Sequence, residues 1–271
     1  MRPVSTLLRP GAALGGCLLA GIFRDTRGAN LSEADRVNHF PASPMVSVTL
    51  TLAGTLRALP TPTDWHAVKA APQLARLSVM GPQNTPISSW SDGDMAALTV
   101  GMYFDAWVQL GGDAAYDHVP DPIAQAFAAF EAAPDSDAGW RAFCAQIATV
   151  WAPHRRSPAA SVQDWARKMA AGAALSGTGR SLRAFERRLK RLSGQSKRTL
   201  DFYGAFENLH RVSRENAQTP LAAIAHEAGF ADQSHMGRMV RRATGFSPAQ
   251  LNRAIDTQEP FWCYRLLGER F

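Results

Sequence analysis

From Thr219 to Arg253, residues that start helices alternate with residues that stop them. Thr219-Pro220 pairs a side-chain cap with the residue best suited to a first helical position. Leu221, Ile224, Ala225 and Ala228 follow at the three-and-four spacing of one helical face. Gly229 then supplies the positive φ that a helix exit needs, and Phe230 an apolar plug. Asp232 caps a second helix, whose inward face is expected to be Met236, Met239, Val240 and Ala243, with Gly245 as its stop. Ser247-Pro248 starts a third. A stretch punctuated this way cannot run as a strand or as one long helix. Its first two helices, joined by a tight glycine turn, make a helix-turn-helix.

The outer face of that second helix begins with Gln233, Ser234, His235 and Arg238. In a helix-turn-helix these positions meet base edges in the major groove. Glutamine pairs bidentately with adenine and arginine with guanine. Arg241 and Arg242 lie further along, where contact with phosphate positions a protein without specifying sequence. The same spacing also describes an ordinary helical hairpin with a solvated polar face.

The string Ile224-Ala225-x-x-Ala228-Gly229-Phe230-x-Asp232-Gln233-Ser234-His235-Met236-x-Arg238, followed by Gly245-Phe246-Ser247-Pro248, resembles the signature of AraC/XylS-family transcription regulators. That family joins two helix-turn-helix units by a long helix, so the resemblance implies a first unit upstream. Ser181-Leu182-Arg183-Ala184-Phe185-Glu186-Arg187-Arg188-Leu189, then Leu192-Ser193-Gly194-Gln195-Ser196, is similar to its recognition helix and exit. Ser181 is then the cap, with Leu182, Phe185, Leu189 and Leu192 facing inward. Arg183, Glu186 and Arg187 fall at the family's base-reading positions. The helix before it is expected over 162–171, with Trp165, Ala166 and Met169 buried. The turn at 172–180, with Gly172, Gly177 and Gly179, is longer than the family's, leaving open whether this unit reads bases or its loop touches phosphate. Leu200, Tyr203, Phe206, Leu209 and Val212 recur at helical spacing and suit the bridging helix. Phosphate contact falls to Arg180, Arg188, Lys190, Arg191, Lys197 and Arg198, besides Arg241 and Arg242.

Charge points the same way. The 271 residues carry a net +6, but 1–154 hold nine basic and thirteen acidic residues, and 155–271 hold twenty basic and ten acidic. An acidic front and a basic back imply a polyanion partner for the back. Twelve of the twenty basic residues lie between Arg167 and Arg214, so the excess serves grip on a backbone more than base readout. The alternative from another class is a basic helical interaction module that binds an acidic partner or a membrane surface without sequence readout.

The front half alternates strands and turns before becoming helical. Cys17 to Phe23 is expected to be a first buried strand, 47–52 a half-buried one continued by Thr55-Leu56-Arg57, and 77–80 and 98–104 two more. Residues 82–94 are rich in Pro, Asn, Ser, Asp and Gly and are expected to be loop or hairpin. Gly81-Pro82-Gln83-Asn84-Thr85 with the strand after it resembles N-terminal regions that accompany this DNA-binding domain in family members of unassigned ligand. Past Asp121-Pro122, two helical stripes follow: Ile123, Ala126, Phe127 and Phe130, then Trp140, Phe143, Ile147 and Trp151. Pro153 and Pro158 mark a boundary. The expected fold is α+β: residues 1–155 as a mixed sheet-and-helix sensory or dimerisation domain, 160–256 as an all-α double helix-turn-helix DNA-binding domain, and 257–271 as an aromatic tail packing back on a domain or on a second subunit.

Other function classes find little support. Cys17, Cys144 and Cys263 form no CxxC and no paired set, which fits a reducing compartment, and a cytoplasmic location is expected. No apolar run is long enough to span a membrane, and the residues between Arg9 and Cys17 lack a secretory core. His39, His66, His118 and His154 are isolated; the aspartates at 92, 94, 105, 113, 117 and 121 lack fixed ligand spacing. There is no GxSxG, P-loop or GxGxxG. No catalytic residue, metal or cofactor is therefore expected. The expected partners are double-stranded promoter DNA, a small-molecule effector, a second copy of the chain, and RNA polymerase if the protein activates. Trp65, Trp90, Tyr103, Phe104 and Trp107 could line an effector pocket or pack as core.

Overall fold

The computed structural model describes residues 1–60, 65–154, 161–176, 181–215 and 220–270, without the side chain of Trp65. Eight strands precede almost all of the helices. They are β1 (Val4–Leu8), β2 (Leu18–Asp25), β3 (Val37–Phe40), β4 (Val46–Ala53), β5 (Arg57–Pro60), β6 (Leu77–Met80), β7 (Ile87–Trp90) and β8 (Ala96–Met102). A short helix, α1 (Trp65–Ala70), sits between β5 and β6. Both sheets are antiparallel: one of five strands in the order β1-β2-β8-β4-β6, the other of three in the order β3-β7-β5.

The two faces of the larger sheet differ. Along β4 the side chains of Val46, Val48 and Leu50 are buried, and so are Leu98, Val100 and Met102 on β8. The alternate positions, Ser47, Thr49, Ala97, Thr99 and Gly101, line a cavity whose opposite wall comes from β3, β5 and β7. The polar stripe that period-2 spacing assigns to solvent therefore faces the second sheet.

Several expected elements shift. The first strand is β1, paired along its length with β2, so the expected strand at 17–23 is the second. Thr55 and Leu56 do not continue β4; the chain crosses to the smaller sheet and forms β5. The segment 82–94, expected to be loop or hairpin, contains β7, the central strand of that sheet. The strand expected to reach Phe104 ends at Met102, and Phe104 opens α2 (Phe104–Gln109).

Helices α3 (Asp121–Glu131) and α4 (Ser136–Trp151) form a hairpin. Their stripes are buried at the expected residues, from Ile123 to Phe130 and from Trp140 to Trp151. Pro120 takes the cap position of α3, and Asp121 is its first helical residue. Gly21 of β2 gives room for this hairpin: a Cβ there would lie 2.8 Å from the Trp140 ring.

The remaining helices are α5 (Val162–Leu175), α6 (Leu182–Ser193), α7 (Lys197–Glu215), α8 (Leu221–Glu227), α9 (Gln233–Thr244), α10 (Pro248–Thr257) and α11 (Trp262–Leu267). The tail folds as a 3₁₀ turn, Glu259–Phe261, and then α11. It packs on β1 and β3 with Trp262, Cys263 and Tyr264 buried. One continuous set of buried apolar side chains runs from Leu8 in the sheet to Tyr264 in the tail.

A candidate nucleic-acid interface and an intersheet cavity

The second helix-turn-helix is built by local capping. Asp232 is extended (φ −160°) and its Oδ1 accepts from the backbone N–H of His235 at 2.6 Å. That satisfies one of the donors left free at the start of α9. Gly229 has φ 86°, which turns the chain so that the N–H of Phe230 donates to the Ala225 carbonyl at 2.8 Å. Ile224, Ala225, Phe230, Met236, Val240 and Ala243 are buried between the two helices, while Met239 is only partly so. Gly245 (φ 87°) ends α9, and Ser247 with Gln250 forms a reciprocal capping box for α10. Thr219, the expected cap of α8, lies outside the described residues; Pro220 occupies the cap position and Leu221 begins the helix.

Gln233, Ser234, His235 and Arg238 are all exposed on the first turns of α9, with Arg241 exposed further along. The His235 ring meets the Phe230 ring edge-on at 5.3 Å, which orients the imidazole. Arg242 is also exposed, and its guanidinium stacks 3.9 Å above the Phe202 ring of α7. The last turn of α9 is tied to the connection between β3 and β4, since the Ala243 carbonyl accepts from the Ala42 N–H at 2.7 Å.

The first unit comprises α5 and α6. Ser161 caps α5, and Glu207 of α7 adds its carboxylate, accepting from the N–H groups of Val162 and Gln163 at 2.8 Å each. Negative charge at a helix N-terminus is stabilising. Helix α5 runs past the expected end at 171 to Leu175, with Ala173 buried, so Gly172 is helical and the long turn shrinks. Residues 177–180, which include Arg180, Gly177 and Gly179, lie outside the described residues. Ser181 caps α6 through the Ala184 N–H at 3.2 Å. Leu189 is buried, and Phe185 and Leu192 pack against the core. Leu182, expected inward, is 69% exposed: it sits one residue into α6, before the helix reaches its partner.

Arg183, Glu186 and Arg187 are exposed on α6, as are Lys190 and Arg191. Arg188 is half-buried and its Nε donates to the Ala173 carbonyl of α5 at 2.7 Å, bracing the two helices. Lys197 pairs with Asp201 one turn along α7 at 2.7 Å; Arg198 is exposed. Helix α7 packs on α5, α6, α8 and α9 and so spans both units. At the first unit's exit, Gly194 (φ 69°) lies against the Phe104 ring of α2, and Trp165 Nε1 donates to Asp105 Oδ1 at 2.8 Å.

Between the two sheets lies a cavity of about 270 Å³. It is bordered by side chains such as Ile22, Met45, Leu56, Leu74, Met80 and Ile87, and by Trp262, Cys263 and Leu267 of the tail. Of the aromatic residues expected around a pocket, Trp90, Tyr103, Phe104 and Trp107 are buried in the core and border no part of it. The signal that could have found the cavity is the small and hydroxyl-bearing stripe Ser47, Thr49, Ala97, Thr99 and Gly101 on paired strands. Asp113, Asp117 and His118 come together at the surface, all exposed, with His118 Nδ1 at 2.8 Å from Asp117.

No protein-family model matches the chain, and no curated protein matches it. Among solved structures, an apo form of ToxT from Vibrio cholerae aligns with a TM-score of 0.37 and 10% identity, over 85% of this chain and 95% of that one. Wild-type ToxT from Vibrio cholerae with unsaturated fatty acid bound aligns with a TM-score of 0.36 and 10% identity, over 87% and 96%. Alignments this loose carry no functional argument, and the chain's own residues must supply it.

Proposed function

We propose that the chain is a one-component transcription regulator of the AraC/XylS type, which binds double-stranded DNA through two helix-turn-helix units and is controlled by a small molecule or by pairing of two chains. The observation that carries this reading is α9. Its capped start presents Gln233, Ser234, His235 and Arg238 to solvent together, on a helix whose other face buries Met236, Val240 and Ala243. Residues 160–256 are the DNA-binding part in this reading, and residues 1–155 the sensory or dimerising part. Gln233 and Arg238 have the chemistry to read adenine and guanine. Arg183, Glu186 and Arg187 are the corresponding readers of the first unit. Arg241, Lys190, Arg191 and Arg198 hold phosphates, together with Arg180, Arg188, Lys197 and Arg242. An activator would also contact RNA polymerase.

The test is a gel-shift series of the full chain against promoter fragments and random DNA. Specific binding is expected, with log affinity falling linearly in log salt by about 0.9 per phosphate neutralised. Equal affinity for every fragment would reduce the protein to a basic module without sequence readout. Arg238→Ala is expected to cost about 1–3 kcal/mol at the cognate site and to relax specificity at one base pair. Arg241→Ala should instead weaken binding to all sequences alike and lower the salt slope by about 1. Identical profiles for the two variants would remove Arg238 from the readers.

A further inference from the structure

The cavity between the sheets is closed at one end by the chain's own C-terminal helix. Trp262, Cys263 and Leu267 of α11 stand there beside Arg24 of β2. The Arg24 side chain is 6% exposed. Its terminal nitrogens donate to Ser5 Oγ at 2.7 Å and to Glu259 Oε1 at 2.6 Å, and its guanidinium lies 4.6 Å from the Trp262 ring centre. Glu259 also binds Arg265 at 2.9 Å. The cation at the cavity wall is therefore already matched by a carboxylate of the tail. Several other polar groups of the lining are occupied by one another. Thr49 and Thr99 share a hydrogen bond at 2.9 Å, and Asn38 receives the Trp262 Nε1–H at 2.6 Å while donating to Ser89 at 3.1 Å. Arg24 Nε is buried and has no hydrogen-bond partner.

What lines the space for an occupant is mostly carbon, interrupted by the hydroxyls of Ser47, Ser78, Thr49 and Thr99. At about 270 Å³ the space lies near the small end of ligand pockets, which span roughly 300–1,000 Å³. The one charged side chain in the lining is Arg24, already paired with Glu259, so an anion placed here would have to compete for it, and burying an unpaired charge is costly. We infer that the cavity takes an uncharged, largely apolar molecule, and that its occupancy is relayed to the DNA-reading helices through the C-terminal segment. The relay rests on the DNA-binding reading above; the ligand class does not.

The physical route is short. Trp262 touches the cavity, and its neighbour Phe261 packs 5.0 Å from Phe246, which lies in the turn between α9 and α10. Helix α11 also packs on α10. An occupant that moves Trp262 therefore acts one contact away from the end of the recognition helix.

The experiment uses the full chain and the neutral fluorophore 1-aminoanthracene, displaced by decan-1-ol or by sodium decanoate, which differ only at the head group. The probe is expected to bind, and the alcohol to displace it at a concentration at least about tenfold lower than decanoate. Absence of probe binding, or equal displacement by the two, overturns the ligand class. Glu259→Gln leaves the Arg24 charge unmatched and should narrow that gap in favour of decanoate; an unchanged gap overturns the role given to Glu259. Thr99→Phe fills the space and should abolish probe binding while keeping native circular dichroism. A crystal of the wild type soaked with decan-1-ol gives the location independently of that variant's folding, and density outside the cavity in that crystal overturns the site. For the relay, decan-1-ol should change wild-type DNA affinity by roughly threefold or more, and leave Trp262→Ala unaffected. Bound alcohol with unchanged DNA affinity overturns the relay. No DNA binding under any condition would sink the DNA reading instead, and leave the cavity result standing.

Discussion

Arg188 and Arg242 show how far side-chain chemistry could be read from the sequence. Both are expected on phosphate; in the free chain Arg188 also braces α5 against α6 and Arg242 stacks on Phe202. Residue type and spacing gave them a charge and a helix, but their partners come from other helices. Gln233 and Arg238 were legible because exposure at the start of a capped helix is decided within a few residues. His39 makes the opposite case. It looked like an isolated histidine, and it packs between Phe246 and Phe261 at 5.4 and 4.8 Å, with Nδ1 at 2.8 Å from Ser88. Burial pushes its pKa down from 6.5 to about 4. An unfolded chain then binds a proton in this window that the folded chain refuses. The stability His39 contributes is full above pH 6.5 and is lost as pH falls toward 4, by at most about 3 kcal/mol. Glu269 acts oppositely, since burial pushes its carboxyl up from 4.5 to about 8, and stability is lost as pH rises through that range. Urea unfolding at several pH values should separate the two. The stability gap between wild type and His39→Gln is expected to shrink from pH 7 to pH 4.5, and Glu269→Gln to gain on wild type from pH 5 to pH 8. A pH-independent gap for either variant removes that residue from the account.

At the level of elements, helices with local punctuation were read well and strands less so. Asp232, Gly229, Gly245 and Ser247-Pro248 each act within four residues; α9 begins and ends, and α10 begins, where they say. Strands β1, β3 and β7 carry no such signal, because each exists through a partner far along the chain; Val37 pairs with Trp90, for example. The alternation in β4 was legible, but the destination of its polar face was not, since only the second sheet decides it. Gly172 is expected to open a turn, yet α5 continues through it, since a single glycine costs a helix only about 1 kcal/mol and alanines surround it. The stop glycines allow a sharper test. Gly194 and Gly229 both have positive φ, so an alanine at either costs about 1–2 kcal/mol of left-handed strain. At Gly229 a Cβ meets nothing within 4 Å, whereas at Gly194 it would lie 2.8 Å from the Phe104 ring. Gly194→Ala should therefore cost a further amount of about 1–3 kcal/mol from overpacking. Chemical denaturation of the two variants checks this, and equal losses would mean that α6 does not bear on α2.

Across the whole molecule, the charge asymmetry of the halves was visible in composition, but their interlocking was not. The contacts that join them separate residues by large distances in sequence: 235 positions for Arg24 and Glu259, 224 for Trp262 and Asn38. No local pattern announces such a pair. The tail consequently reads as an aromatic appendage in sequence, while in the fold it fastens α10 to β1 and β3. The ion pair at its centre sets up a decisive comparison. The Arg24 side chain is 6% exposed and the Glu259 side chain 26%, so the pair is buried on one side only. Removing one partner of a buried pair strands a charge and costs about 3–5 kcal/mol; replacing both with apolar side chains of similar size is often neutral. Because water still reaches Glu259, Glu259→Ala belongs at the lower end of that range. Arg24→Met with Glu259→Met should recover most of the loss, because the methionines can fill the same volume against Trp262. Thermal unfolding of the single and double variants distinguishes the two roles of the pair. Recovery in the double variant means that the charges mainly specify how the tail docks. A double variant as unstable as Glu259→Ala would mean that the pair itself, with its hydrogen bonds to Ser5 and Arg265, holds the tail on the sheet.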